Sequence, residues 1–342
     1  MLKEVVLMKS REIGSEFWNI PINEKENDFF GNEINWFISG RAALDYIIKD
    51  IKSSKDVKTI AMPSWCCDTM IEPALKNGLE VLFYPVVIKN NNKLVKEITI
   101  QADILLKLDY FGYEKTTIKF EGIKINDVSH SLFIDKCNFD DDYVFGSLRK
   151  WAGFKTGGFA YSKKGFSIKP LNKTNLNYID LRILAMKEKE KYVDGLINSK
   201  DYLSFFSNAE CMLDELYECY GYEKDIDDAK HLDIELIKNK RQENAKTLLR
   251  YVKKYAVFKE VKEFDCPLFV PIIVPNNKRN DLRKYLIKNN VYCPIHWPIS
   301  KLHKLNEEEQ FIYDNELSLV CDQRYNLEDM EYIGELVEDY LC

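Results

Sequence analysis

Lys150 stands in the run Ser147-Leu148-Arg149-Lys150-Trp151, and the pair Gly157-Gly158 follows seven and eight residues after it. A lysine between an apolar run and a glycine pair is placed to act as a Schiff-base amine. Upstream, Asp127 closes the apolar strand of Ile125-Asn126-Asp127 and is followed by Val128-Ser129-His130. A carboxylate there can hold a positively charged ring nitrogen. An aldehyde-trapping amine and a carboxylate for a pyridine nitrogen are what pyridoxal phosphate asks of a protein.

An ordinary lysine titrates at roughly 10.4 and is an inert ammonium at neutral pH. Burial and the neighbouring Arg149 are expected to lower that value and free the amine. The freed amine then serves as general base. A surface lysine beside a basic neighbour is the plainer alternative for Lys150. For Asp127 the alternative is a helix N-cap ahead of Val128-Ser129-His130.

The elements needed to position these groups are visible in the pattern. Phe37-Ile38 reads as a strand ending at Ser39-Gly40, and Arg41 to Asp50 then repeats apolar residues at helical spacing, with Ser39 as N-cap. Lys58 to Met62 reads as a buried strand stopped by Pro63. A helix from about Asp68 to Asn77 ends at Gly78. Further strands fall at Glu80 to Tyr84, Ile104 to Leu108, Gly122 to Asn126, Tyr143 to Phe145 and Phe159 to Tyr161. Strands alternating with helices predict an α/β fold with a mainly parallel sheet and ligands at the carboxyl ends of its strands. From Thr174 to about Tyr255 the pattern is helical, and Met186 to Lys191 reads as a solvated helix face. Asp233 to Tyr255 is expected as one connecting helix. Strands at Leu268 to Val274 and Tyr292 to Ile295 bracket a helix at Arg279 to Asn289, and Glu328 to Leu341 forms a last helix. The expected division is a large domain over 1–235 and a small α+β domain over 236–342.

Composition excludes several classes. At 46% hydrophobic and 30% charged residues, the 342-residue chain can bury a core. A net charge of -6 argues against nonspecific nucleic-acid binding. No apolar run is long enough for a membrane span, and the segment after Met1 does not read as a signal peptide. Nine cysteines at irregular spacing fit reduced thiols in a cytoplasmic protein better than a disulfide framework. The four histidines show no metal-ligand spacing with the cysteines, so no metal is expected. Without a G-x-G-x-x-G or Walker-type loop, a plain nucleotide-binding fold ranks last.

In order and spacing, Ser39-Gly40-Arg41-Ala42-Ala43-Leu44, Pro63-Ser64-Trp65 to Gly78, Asp127 to His130, Lys150 to Gly158 and Asp322-Gln323-Arg324-Tyr325 resemble the DegT-type (StrS-like) sugar aminotransferases. These are fold-type-I enzymes dependent on pyridoxal phosphate. The resemblance implies a homodimer with its active site at the subunit interface. It also implies amino transfer from an amino acid, glutamate by resemblance, to a keto sugar, usually nucleotide-linked. Products of this kind commonly feed surface polysaccharides or antibiotics.

The resemblance also implies roles. Ser39-Gly40-Arg41-Ala42 would be the phosphate cup, at a helix N-terminus whose N–H groups and dipole favour an anion. Arg41 replaces a small hydroxyl residue; it adds an ion pair to phosphate or faces solvent. His130 occupies a position that approaches the cofactor's phenolic oxygen, or is structural. The ring-stacking aromatic of the family falls at Cys67. Either Trp65 covers the ring or the stacking face is remodelled, and pure packing is the alternative for Trp65. Phe145 stands where a phosphate-binding serine is common, and Ser147 is the substitute. His296, in Tyr292 to Pro298, is a candidate substrate contact, and Arg324 a weaker candidate for the donor carboxylate. Family dehydratases carry histidine in place of the lysine, so Lys150 favours transamination over elimination. A noncatalytic homologue with a binding or regulatory role is the alternative from another class.

Overall fold

The computed structural model describes residues 12–31, 33–113, 118–134 and 140–341. The amino-terminal segment read for a signal peptide, and two of the cysteines (Cys137 and Cys342), lie outside the described residues.

A short strand β1 (Ile13–Gly14) precedes β2 (Asn35–Phe37). Helix α1 (Gly40–Ser54) starts where expected: Ser39 is extended, and its hydroxyl accepts the Ala42 N–H at 3.2 Å. Ala43, Leu44, Ile47, Ile48 and Ile51 bury its apolar face, and Tyr46 joins them. Strand β3 (Thr59–Pro63) leads into α2 (Asp68–Lys76), and Gly78, at φ +71°, supplies the left-handed turn into β4 (Glu80–Tyr84). A hairpin that the sequence pattern did not signal follows, β5 (Val86–Lys89) and β6 (Lys93–Lys96). Then come β7 (Ile104–Leu108), β8 (Ile123–Asp127), β9 (Tyr143–Ser147) and β10 (Gly158–Ser162).

The main sheet has seven strands in the order β2-β10-β9-β8-β7-β3-β4. The pairs β9–β8, β8–β7, β7–β3 and β3–β4 are parallel, as the alternating pattern predicts. Strand β10 is antiparallel to both β9 and β2, because the short loop after Lys150 returns it without a crossover helix. Parallel strands covered on both faces read as continuous apolar runs, and Ile104 to Leu108 is buried throughout.

The glycine pair has a steric cause. Gly157 sits at φ +96°, and a Cβ on Gly158 would lie 2.2 Å from the Ser39 carbonyl. The bare start of β10 is therefore what lets the N-terminus of α1 pack against the sheet. Gly158→Ala is expected to lower stability by about 1–3 kcal/mol, the usual cost of overpacking, read as a lower denaturant midpoint. An unchanged midpoint would mean that this contact is looser than described.

The helical half contains α3 (Leu176–Val193), α4 (Tyr202–Met212), α5 (Glu223–Lys230) and the connecting helix α6 (Ile234–Val252). One reading of it needs correction. The run Met186 to Lys191 is not a wholly solvated face: Met186 is buried and Lys189 is 1% exposed. The Lys189 ammonium lies over the rings of Trp18 and Tyr202, 3.8 Å from Glu12, and burial pushes it down to about 8. Its cover comes from residues far away in sequence.

Beyond α6 are β11 (Phe269–Ile273), α7 (Arg279–Lys288), β12 (Val291–Tyr292), α8 (Glu307–Asn315), β13 (Glu316–Val320) and α9 (Leu327–Leu341). Strand β12 is shorter than expected because Pro294 has no N–H to pair. Helix α8 and strand β13 were not signalled, although Asn306 and Glu309 form a capping box at the start of α8. Helices α6, α7 and α9 pack on the antiparallel pair β11–β13 around a second core. Ile13 joins that core because β1 pairs with β12. Among the described residues no helix is long and apolar enough to cross a membrane.

Candidate active site

The carboxyl ends of β8 and β9 and the N-terminus of α1 meet at one cavity of about 330 Å³. Strand β8 delivers Asp127 as its last residue, and β9 delivers Ser147. A single 3₁₀ turn, Leu148–Lys150, then buries Leu148 in the core and sets Lys150 at the cavity mouth. Gly40 and Arg41 also line the cavity. The first N–H groups of a helix have no partners within it, so the start of α1 offers donors to an anion. A Cβ on Gly40 would stand 3.6 Å from the Ser147 Cβ, so the start of the helix and the end of β9 meet closely at the cavity that both line.

Asp127 is 5% exposed. Burial raises its carboxyl to about 6, against hydrogen bonding from Ser129 (N–H to Oδ1, 2.8 Å) and the positive charge of Lys150, which hold it down. The carboxylate form therefore prevails above about pH 6 and is lost as the pH falls through that value. In the cofactor-free protein the Asp127 carboxyl carbon should titrate by NMR with a midpoint near 6. A midpoint in the ordinary range near 3.9 would show a site far wetter than described.

His130 is buried and neutral: burial and the charge of Lys150 lower it to about 3. Its Nδ1 has no hydrogen-bond partner, and its ring lies 5.3 Å from that of Trp297, nearly parallel. His296 also lines the cavity, with its ring centroid 5.3 Å from that of His130. Cys67 faces the cavity beside Thr69, whose hydroxyl donates to its Sγ at 3.1 Å. The charge of Lys150 acts on Cys67, Asp127, His130 and His296, which sets its amine among them.

Several expectations change. Lys150 is exposed in the single chain, not buried, because the 3₁₀ turn spends its apolar position on Leu148. Arg149 is not free to act on it, since its guanidinium binds the Glu210 carboxylate. Trp65 does not face the cavity. It is fully buried, stacked on Tyr110 at 4.7 Å, and its indole N–H donates to the His296 carbonyl, so packing is its role and Cys67 takes the cavity side. Ala42 is buried, and its N–H is spent on the Ser39 cap, so it offers nothing to a phosphate. Arg41 neither faces solvent nor stands free, because Asp214 at 2.6 Å and Glu72 at 3.3 Å hold its guanidinium. Arg324 is likewise engaged, with Asp322 at 2.8 Å and with the carbonyls of Ser15 and Glu16.

Sequence reasoning missed Glu210 on α4 and the strap Ser15-Glu16-Phe17, both of which line the cavity. The same strap, with Lys150, borders a second cavity of about 610 Å³ that contains Arg241, Arg283 and Tyr292. No local pattern marks the strap except its polar Gly14-Ser15 turn, where Ser15 takes φ +65°. Among the described residues, no three His, Cys, Asp or Glu side chains converge as a metal requires.

No family model matches the chain, and no curated protein matches it in sequence. Solved structures match its fold. An aminotransferase of Helicobacter pylori, PseC, involved in the biosynthesis of pseudoaminic acid, is 14% identical over 96% of this chain and 99% of that one, with a TM-score of 0.61. A GDP-4-keto-6-deoxy-D-mannose-3-dehydratase of E. coli with bound hydrated pyridoxal phosphate is 15% identical over 89% and 87%, with a TM-score of 0.59. A DegT DnrJ EryC1 StrS aminotransferase from Brucella abortus is 13% identical over 90% and 86%, with a TM-score of 0.57. The chain has the fold of the fold-type-I transferases, as expected from its sequence.

Proposed function

We propose that the chain is a pyridoxal phosphate-dependent aminotransferase of the DegT type, which moves an amino group from an amino acid, glutamate by resemblance, to a nucleotide-linked keto sugar. One observation carries this reading: an amine, a buried carboxyl and a helix N-terminus converge on a single cavity at the carboxyl ends of parallel strands. The residues present fit the cofactor, since Gly40 and Ser147 line the same cavity as Asp127 and Lys150 and a buried imidazole nitrogen of His130 lacks a partner. When bound, pyridoxal phosphate supplies an aldehyde for amine exchange and a protonated ring that draws electrons from the substrate carbon.

In this reading the chain's own groups do the following. The N–H groups of Gly40 and Arg41 and the Ser147 hydroxyl hold the phosphate. Asp127 keeps a proton on the ring nitrogen through a charge-assisted hydrogen bond, stronger than a neutral one. Neutral His130 packs beside the ring and offers one donor and one acceptor. Cys67 gives the ring a soft, polarizable neighbour in place of an aromatic face. The Lys150 amine moves a proton at the substrate carbon. His296 faces the substrate side of the cavity. The exposure of Lys150 supports a homodimer in which the second subunit closes the mouth and excludes water. The seven free thiols among the described residues fit a reducing, cytoplasmic setting.

Purified protein incubated with glutamate and a panel of nucleotide-linked keto sugars, with products followed by mass, tests the reading. An amino sugar product with 2-oxoglutarate is expected. Absence of both, in protein that holds the cofactor, would contradict it.

A further inference from the structure

His296 reaches the cavity from the segment after β12, and its far side is tied to strand β13. Its Nδ1 lies 2.8 Å from the Ser318 hydroxyl, and that hydroxyl lies 2.5 Å from Oε1 of Glu316. The other carboxyl oxygen, Oε2, accepts the backbone N–H of His296 at 2.9 Å, closing a ring of contacts. Glu316 and Ser318 are two residues apart on one strand, so both project to the same face, toward His296. All three side chains are buried, Glu316 and Ser318 completely. With Nδ1 engaged, Nε2 is the nitrogen left for the cavity.

Buried polar groups must each find a partner, and this requirement fixes the directions. Ser318 has one proton to give. If Glu316 is ionised, Ser318 donates to Oε1 and its oxygen accepts from His296. Nδ1 then carries the hydrogen and Nε2 is a bare acceptor. If Glu316 is protonated, Oε2 is already taken by a donor, so the proton sits on Oε1 and is donated to Ser318. Ser318 then donates to Nδ1, and Nε2 carries the hydrogen. One proton on Glu316 reverses the whole chain.

We propose that Glu316 and Ser318 are positioning residues that set the hydrogen-bonding role of His296 toward the ligand, making Nε2 a donor when Glu316 is protonated and an acceptor when it is ionised. At neutral pH the donor state prevails, because burial pushes the Glu316 carboxyl up to about 8, with the Ser318 and His296 hydrogen bonds and Arg279 opposing. The charged or titratable neighbours of Glu316 are Arg279, which binds its backbone carbonyl at 3.1 Å, and Cys293. Those of His296 are His130 and Lys150, which with burial keep its imidazole neutral. The group recognised at neutral pH is therefore an oxygen acceptor on the substrate, a carbonyl, carboxylate or sugar oxygen. That ligand assignment rests on the proposed aminotransferase reading, whereas the tautomer control does not.

Nitrogen-15 NMR of the histidine rings in the cofactor-free full chain tests the control, because the protonated and bare ring nitrogens have well-separated shifts. Wild type should show the His296 hydrogen on Nε2 at pH 7 and a change to Nδ1 as the pH rises through about 8. Glu316→Gln, whose amide donates to Ser318 and accepts from the backbone at every pH, should hold the Nε2–H form throughout. Ser318→Ala should uncouple the ring and remove the pH-dependent change. A His296 tautomer that stays the same in wild type from pH 6 to pH 10 would overturn the proposal, without need of either variant. So would a pH-dependent exchange that persists in Glu316→Gln. Neither result depends on whether the chain transfers nitrogen.

Discussion

Lys150→Ala should lower the donor half-reaction, read as 2-oxoglutarate released from glutamate in a single turnover, by on the order of 10³-fold or more. Positioned acid–base catalysis alone contributes about 10²–10⁴-fold, and this side chain is also the proposed nucleophile toward the cofactor. The variant should fold, because Lys150 is exposed and its only structural neighbours in the turn, Leu148 and Arg149, keep their contacts with the core and Glu210. Surface substitutions of this kind usually change stability by less than about 0.5 kcal/mol. A folded variant that releases the keto acid at the parent rate would remove Lys150 from the chemistry.

Asp127→Asn should retain much of the cofactor and lose about 10²–10³-fold in turnover, the range for removing one preorganised stabilising group. Asparagine keeps the shape and still accepts the Ser129 N–H, so the end of β8 stays in place. What it lacks is charge. With the carboxyl at about 6, Asp127 is mostly ionised at neutral pH, and only the ionised form holds a proton on the ring nitrogen. The protonated ring nitrogen beside it favours the charged carboxylate further, so wild type should keep its advantage to pH 6 and below. A variant as fast as wild type at pH 7.5 would refute the assigned role of Asp127.

What could be read in advance was local. Ser39 and Gly78 mark the ends of their helices because a cap and a left-handed glycine act over one turn of chain. Asp127 and Lys150 were legible because strand ends carry polar residues out of an apolar run. Tertiary contacts governed the rest. Glu210 reaches the cavity through a helix some sixty positions past Lys150, and nothing in α4 distinguishes it from a solvated glutamate. Lys189 looked solvated because its neighbours are charged, yet Trp18 and Glu12 cover it. Trp65 and Cys67 stand on opposite sides of one turn, and only packing against Tyr110 and Trp297 decides which faces the cavity. The chain Glu316–Ser318–His296 joins β13, a strand with no sequence signal strong enough to place it, to a segment twenty positions earlier.

The central claim is an aldehyde bound by one amine. Incubation with pyridoxal phosphate, reduction with borohydride and peptide mapping by mass spectrometry reads that bond directly. A pyridoxyl group is expected on the peptide that contains Lys150, and that label should be lost in Lys150→Ala. Label spread over surface lysines, or equal labelling of wild type and variant, would contradict the claim.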